Sequence, residues 1–172
     1  RIILAHTGEG FNEPTPSTRP CCRMLSTSST GSAPSVETKK SGGEVIETSA
    51  EILSKITGKD NPQTVCGVFA EFDTGLAALD RGAAKIWLVA QALRDPGNLG
   101  TMLRTGDAVG AGGLILSDDF ADPFSAEAVR ASMGAVFTQQ IAQARWEEFL
   151  PWLRSGPGQL VAASLRDAVP YR

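Results

Sequence analysis

The chain has 172 residues, a formal net charge of −3 and 42% hydrophobic residues, which suits one domain, or a small one with a tail, built on a real core. The acidic balance is not that of a bulk polycation, so any nucleic-acid contact has to come from a local basic patch, and no apolar run approaches the roughly 20 residues of a membrane-spanning helix. Cys21, Cys22 and Cys66 form neither a disulfide framework nor a C-x-x-C zinc pattern, so the expectation is a reducing, cytoplasmic setting with no metal and no membrane.

In chain order, residues 7–43 are dominated by Ser, Thr, Gly, Pro and charge. Such a segment buries too little surface to offset the entropy of ordering it, so residues 1–43 are expected to be a disordered or low-complexity tail. The stretch 19–34 is rich in Ser and Thr, holds Arg19 and Arg23 and lacks acids. That is compatible with a mitochondrial or other organellar transit peptide beginning at Met24, although a plain linker is the preferred reading. Order is expected from Glu44, with a short strand at Val45 and Ile46. Thr48-Ser49-Ala50-Glu51 has capping-box spacing ahead of Ile52, Leu53 and Ile56, and Gly58 is placed to stop that helix. Asn61-Pro62 predicts a turn and Val65 to Ala70 a strand.

A short helix is expected over Gly75 to Asp80, followed by alternating units. The apolar run Lys85 to Ala90 reads as a buried parallel strand. Pro96-Gly97 marks a turn, with Asn98 as N-cap of the next helix. On that helix Leu99, Met102, Leu103, Gly106 and Val109 share one face, and Arg104 points almost directly away from it. Gly106 costs roughly 1 kcal/mol of helix propensity, which implies close helix–sheet contact. Gly113 to Ser117 predicts a strand, then a helix near Ala126 to Met133 capped by Ser125. Val136 to Ala142 predicts another strand. An amphipathic segment with Trp146, Phe149, Leu150 and Leu153 follows, in which Pro151 is expected to kink or divide the helix. Leu160 to Leu165 reads as a last strand. Strands alternating with helices argue for an α/β fold with a doubly wound parallel sheet.

Several chemistries are excluded by the residues. The single histidine is His6, in the tail, which removes histidine acid–base catalysis from the folded part. Gly110-Ala111-Gly112-Gly113 precedes a strand instead of following one, so it is not a dinucleotide fingerprint. No Walker motif or metal cluster is present. Trp87, Trp146 and Trp152 read as core or interface residues.

The pattern Asn98-x-Gly100-x-x-x-Arg104-Thr105-x-x-Ala108-x-Gly110 resembles the first signature of the SpoU-type (TrmH-like) RNA 2'-O-ribose methyltransferases. Asp122-Pro123-Phe124 followed by Val129-Arg130-Ala131-Ser132-Met133-Gly134-Ala135-Val136-Phe137 resembles the second. The likeness covers about Ile46 to the end. It implies the N-terminal part of a SPOUT-type domain, a class closed by a trefoil knot. Residues 44–75 would then be the remnant of an N-terminal substrate-binding domain and 76–172 a partial methyltransferase domain. It further implies S-adenosylmethionine as cofactor, rRNA or tRNA as partner, and a homodimer in the full-length protein. The glycine- and glutamate-bearing loop and the Ser-Leu-Asn helix of the family are expected beyond Arg172, which would leave this chain by itself incomplete for catalysis. The other reading is a non-catalytic RNA-binding or dimerisation module.

The resemblance makes Arg104 the essential arginine. A guanidinium resists deprotonation, so an electrostatic role is preferred over general base: it would grip the target phosphate and stabilise charge developing on the 2'-oxygen. Asn98, at the strand's carboxyl end, is a catalytic candidate for orienting substrate. Arg130 and Ser132 match the second segment and are candidates for substrate binding, by contacting RNA phosphate or supporting Arg104. Ser164, on the last expected strand, is the candidate for cofactor binding.

Overall fold

The computed structural model describes residues 2–6, 23–27, 42–61 and 64–163. Two sheets meet in the larger of two hydrophobic clusters. The first has four strands: β1 (Ile2–His6), β2 (Arg23–Ser26), β3 (Glu44–Glu47) and β4 (Val65–Ala70), in the order β1-β4-β2-β3. β4 pairs antiparallel with both β1 and β2, while β2 and β3 run parallel. The expectation of a disordered tail over residues 1–43 therefore fails at two places. Ile2–His6 and Arg23–Ser26 are too short and too far apart to stand out from a polar background, and they are ordered by ladders to β4, some 40 to 70 positions away. The remainder of that tail, Cys21 and Cys22 included, lies outside the described residues.

Between β3 and β4 runs α1 (Ala50–Thr57). Its N-cap is Ser49, whose hydroxyl accepts from Ile52 N, and Gly58 ends it in the left-handed conformation with φ 63°. Such a cap is worth about 1 kcal/mol. Of the expected apolar face only Leu53 is buried; Ile52 and Ile56 are exposed.

The second sheet is parallel, β5 (Leu88–Gln91), β6 (Gly113–Ser117) and β7 (Gln140–Ala144), in that order across the sheet. β6 is central and buried along its whole length, which is why its sequence is an unbroken apolar run. Its side chains alternate between two cores. Leu114 and Leu116 join Leu99, Leu103, Val136 and Ile141 on one face. Ile115 joins Ala142 and Phe149 on the other. The first face is covered by α2 (Pro96–Ala108) and α3 (Ala126–Ala131), the second by α4 (Trp146–Arg154). Helices on both faces of a parallel sheet make the expected doubly wound arrangement. Phe69 of β4 lies 4.4 Å, centroid to centroid, from Phe137, so the four-stranded sheet packs into the same core as the parallel one.

Other expectations need correction. The helix over Gly75 to Asp80 is only a 3-10 turn at Leu76–Ala78. The strand expected from Val136 begins at Gln140, because Ala135–Phe137 first closes a 3-10 turn. Pro151 does not divide α4. Phe149 is buried against the sheet, and Trp152 is held by Arg81, whose Nη1 donates to Trp152 O at 2.6 Å and whose Nη2 donates to Leu153 O at 3.1 Å. The same guanidinium stacks 4.3 Å from the Trp152 ring. This supplies partners to the last carbonyls of the helix and a cation at its negative end. Residues 158–163 form no strand, and Leu160 and Val161 are exposed.

Candidate active site

α2 starts three residues earlier than the spacing predicts. Asp95, not Asn98, is the N-cap: its carboxylate accepts from Asn98 N, and Pro96 occupies the first helical position. Proline suits that place because its missing N–H would have no helical partner there. Asn98 is thus inside the first turn, exposed at the carboxyl end of β5.

α2 is fixed by its glycines. A Cβ on Gly100 would lie 2.5 Å from Ala128 O, 2.5 Å from the Ala131 Cβ and 2.7 Å from Ser132 N, so the two helices touch backbone to backbone. A Cβ on Gly106 would lie 3.0 Å from a Leu88 methyl and 3.3 Å from Gln139 Oε1, which is the close helix–sheet contact the sequence implies. Arg104 stands one turn after Gly100 and is exposed. Among the described residues it has no hydrogen-bond or ion-pair partner. The guanidinium is free to meet an external anion.

The second matching segment gives two different residues. Arg130 is exposed on α3 and donates from Nε to its own helix at Ala126 O, 3.0 Å, leaving its two terminal nitrogens outward. Ser132 is fully buried. Its hydroxyl donates to Val129 O at 2.7 Å and accepts from Val136 N at 3.4 Å. Of the two roles expected for Ser132, its burial favours support over direct RNA contact: its hydroxyl bridges the end of α3 to the following 3-10 turn, and its backbone nitrogen lies beside Gly100. Ser164 lies outside the described residues.

Sequence reasoning missed the rim that joins the strand ends. Asp118 follows β6 with φ 62°, and Ala92 follows β5 with φ 54°. Non-glycine residues in this region carry strain and concentrate where chains turn or bind. Asp118 Oδ2 accepts from Gln91 Nε2 at 2.7 Å, and Oδ1 accepts from Trp146 N at 3.1 Å. One carboxylate therefore ties β5, β6 and the start of α4. The Gln91 amide, then the Trp146 N–H, hold its carboxyl below the usual carboxylate range. A group with a lowered folded pKa contributes stability that is present above its unfolded pKa and lost as pH falls through the folded one. Thermal melts from pH 7 down to pH 3 are expected to show a shallower acid-side decline for Asp118→Asn than for the wild type; superimposable profiles would show the rim does not titrate as described. Beside it, Arg94 and Asp119 pair at 2.6 Å but are both exposed, so this ion pair adds little.

A strand, a tight turn and a glycine-clamped helix place an exposed, unpartnered arginine at the carboxyl ends of a parallel sheet, where open α/β folds bind their ligands. Residues 85–172 match the model of the SpoU rRNA Methylase family, and the chain belongs to that family. It is 30% identical over 124 residues to the Bacillus subtilis 23S rRNA (guanosine(2553)-2'-O)-methyltransferase RlmP, covering 72% of this chain and 48% of that protein. An rRNA methyltransferase from Sinorhizobium meliloti superimposes with a TM-score of 0.82 at 35% identity, over 99% of this chain and 65% of that one. The AdoMet-bound form gives 0.76 at 35% identity, over 90% and 59%. The chain thus spans about half the length of RlmP and under two thirds of the Sinorhizobium structures.

Proposed function

We propose that the protein transfers a methyl group from S-adenosylmethionine to a ribose 2'-hydroxyl of rRNA, with tRNA the other RNA class considered. The observation that carries this is Arg104: exposed, unpartnered, and carried on α2, a helix that packs closely on its neighbours at Gly100 and Gly106. A planar guanidinium grips a phosphate through two parallel hydrogen bonds and holds the adjacent ribose in line. The same charge stabilises the oxyanion that develops as the hydroxyl proton leaves to solvent. Asn98, six residues earlier on α2, orients the ribose, and Arg130 on the adjoining helix holds a neighbouring phosphate.

S-adenosylmethionine, when bound, supplies a methyl group activated by a sulfonium cation. The exposed polar rim of Gln91, Asn98 and Asp118 suits the positive and hydrogen-bonding parts of such a molecule, and Ser164 is proposed to complete the contact. The named relatives, the AdoMet-bound one included, support this choice of donor and substrate. Homodimerisation of the full protein and a cytoplasmic location belong to the same proposal. No helix among the described residues is long and apolar enough to cross a membrane.

The test is methyl transfer from labelled S-adenosylmethionine to ribosomal RNA. A 2'-O-methyl group blocks alkaline cleavage of the adjoining phosphodiester, so the label is expected in alkali-resistant dinucleotides. Label recovered on a base, or none in either RNA class, would remove the proposal.

A further inference from the structure

Arg104 has no hydrogen-bond or ion-pair partner among the described residues, so its aim depends on the backbone beneath it. Gly100 fixes one side of α2; the other side, one turn beyond Arg104, is held by three polar residues that neither signature marks. Asp107 Oδ1 accepts from Thr138 Oγ1 at 2.8 Å and from Gln139 Nε2 at 3.3 Å. Gln139 Nε2 also donates to Ala111 O at 3.1 Å. Gln139 is 5% exposed, and its Oε1 is buried without a partner among the described residues. Burying an amide with its acceptor unsatisfied is unfavourable. An apolar side chain at this place would fill the space without that cost. The donor half of Gln139 therefore matters: it joins the last turn of α2 to the α2–β6 connection, while Gln139 itself leads directly into β7.

We propose that Gln139, with Thr138 and Asp107, forms a polar latch that sets the rotation of the last turn of α2 and so positions Arg104. This rests on the reading of Arg104 given above. The three are positioning residues and do not touch substrate. Asp107 is three residues after Arg104, so on a helix the two lie on neighbouring flanks of the same turn. Loss of the latch frees α2 to rotate about the Gly100 contact, and a displacement near 1 Å in a reacting constellation can cost on the order of a hundredfold in rate.

The test compares kcat, KM for RNA and melting temperature for the full protein and the variants Gln139→Met, Thr138→Val, Asp107→Asn, Arg104→Ala and Arg104→Ala/Gln139→Met. Gln139→Met and Thr138→Val are expected to lower kcat by about tenfold or more with KM nearly unchanged. Asp107→Asn keeps an acceptor oxygen and is expected to retain most of the turnover. In the Arg104→Ala background Gln139→Met is expected to add no further loss, because both act through one group. Thr138 is exposed, so its variant folds even if Gln139→Met does not. Wild-type kcat in Thr138→Val and Gln139→Met, or an undiminished loss in the Arg104→Ala background, would overturn the latch. Near-normal turnover in Arg104→Ala alone would instead overturn the reading beneath it.

Discussion

Replacing Arg104 with alanine is expected to lower methyl transfer by about a hundredfold or more, as for loss of one charge-stabilising donor, while changing stability by no more than about 0.5 kcal/mol, as at ordinary surface sites. The two halves of that result have separate causes. The side chain is exposed and unpartnered, so the folded state loses little. If the guanidinium acts on charge that appears only in the transition state, the loss falls on kcat and not on cofactor affinity. Lysine restores the charge but not the planar two-pronged contact, so Arg104→Lys should recover only a small part of the rate. Turnover of the two variants, read beside their melts, decides the matter. A normal rate removes Arg104 from the chemistry, and a large fall in melting temperature gives it a structural role instead.

Gly100→Val is expected to lower stability by about 3 kcal/mol, the upper part of the range for overpacking. The atoms in the way are the Ala128 carbonyl oxygen and the Ser132 nitrogen, at 2.5 and 2.7 Å from an added Cβ. Both are backbone, so no rotamer change makes room, and α2 has to separate from α3. The same separation moves Arg104, so activity should fall further than the unfolded fraction explains. Denaturant melts and turnover measured at a temperature where the variant is folded test both parts. Wild-type stability would mean that the helices are not in backbone contact.

The legible parts of the fold were those governed by local periodicity. The apolar run of β6, the alternation of strands and helices, Ser125 and Gly58 as caps, and the helix bearing Arg104 all follow from residues within a few positions of one another. Gly106 was readable as a close contact because a glycine on an apolar helix face has little other reason to be there. What could not be read depends on distant partners. β1 and β2 exist through ladders to β4. Asn98 looked like the cap because it is a good one, but Asp95 is another, and Pro96 between them favours the earlier start. Leu160 to Ala163 carries strand propensity, yet propensity alone makes no strand without a neighbouring edge to pair with.

The site divides in the same way. Arg104 and Arg130 were found through the resemblance to the family's two signatures, and the structure leaves both exposed. Ser132 came from the same resemblance, but the sequence does not say which way a serine at a helix end faces, and here it faces inward. Asp107 lies more than thirty positions from Thr138 and Gln139. Asp118 meets Gln91 and Trp146 across 27 and 28. Neither group leaves a periodic trace.

α2 has one more consequence, for the order in which the protein folds. The helix contains Gly97, Gly100 and Gly106, and the hydroxyls of Thr101 and Thr105 bond back to Gly97 O and Thr101 O. Each glycine costs about 1 kcal/mol of helix propensity, and thirteen residues are marginal for an isolated helix even with favourable composition. α2 therefore has no helical life of its own. Nucleation is expected at the apolar strand β6 and its neighbours, with α2 winding up as it docks. The arginine that the proposed chemistry needs is displayed late, after the sheet, the α3 contact and the chain leading into β7 are in place. A nascent or partly unfolded chain presents no such cation in a fixed direction.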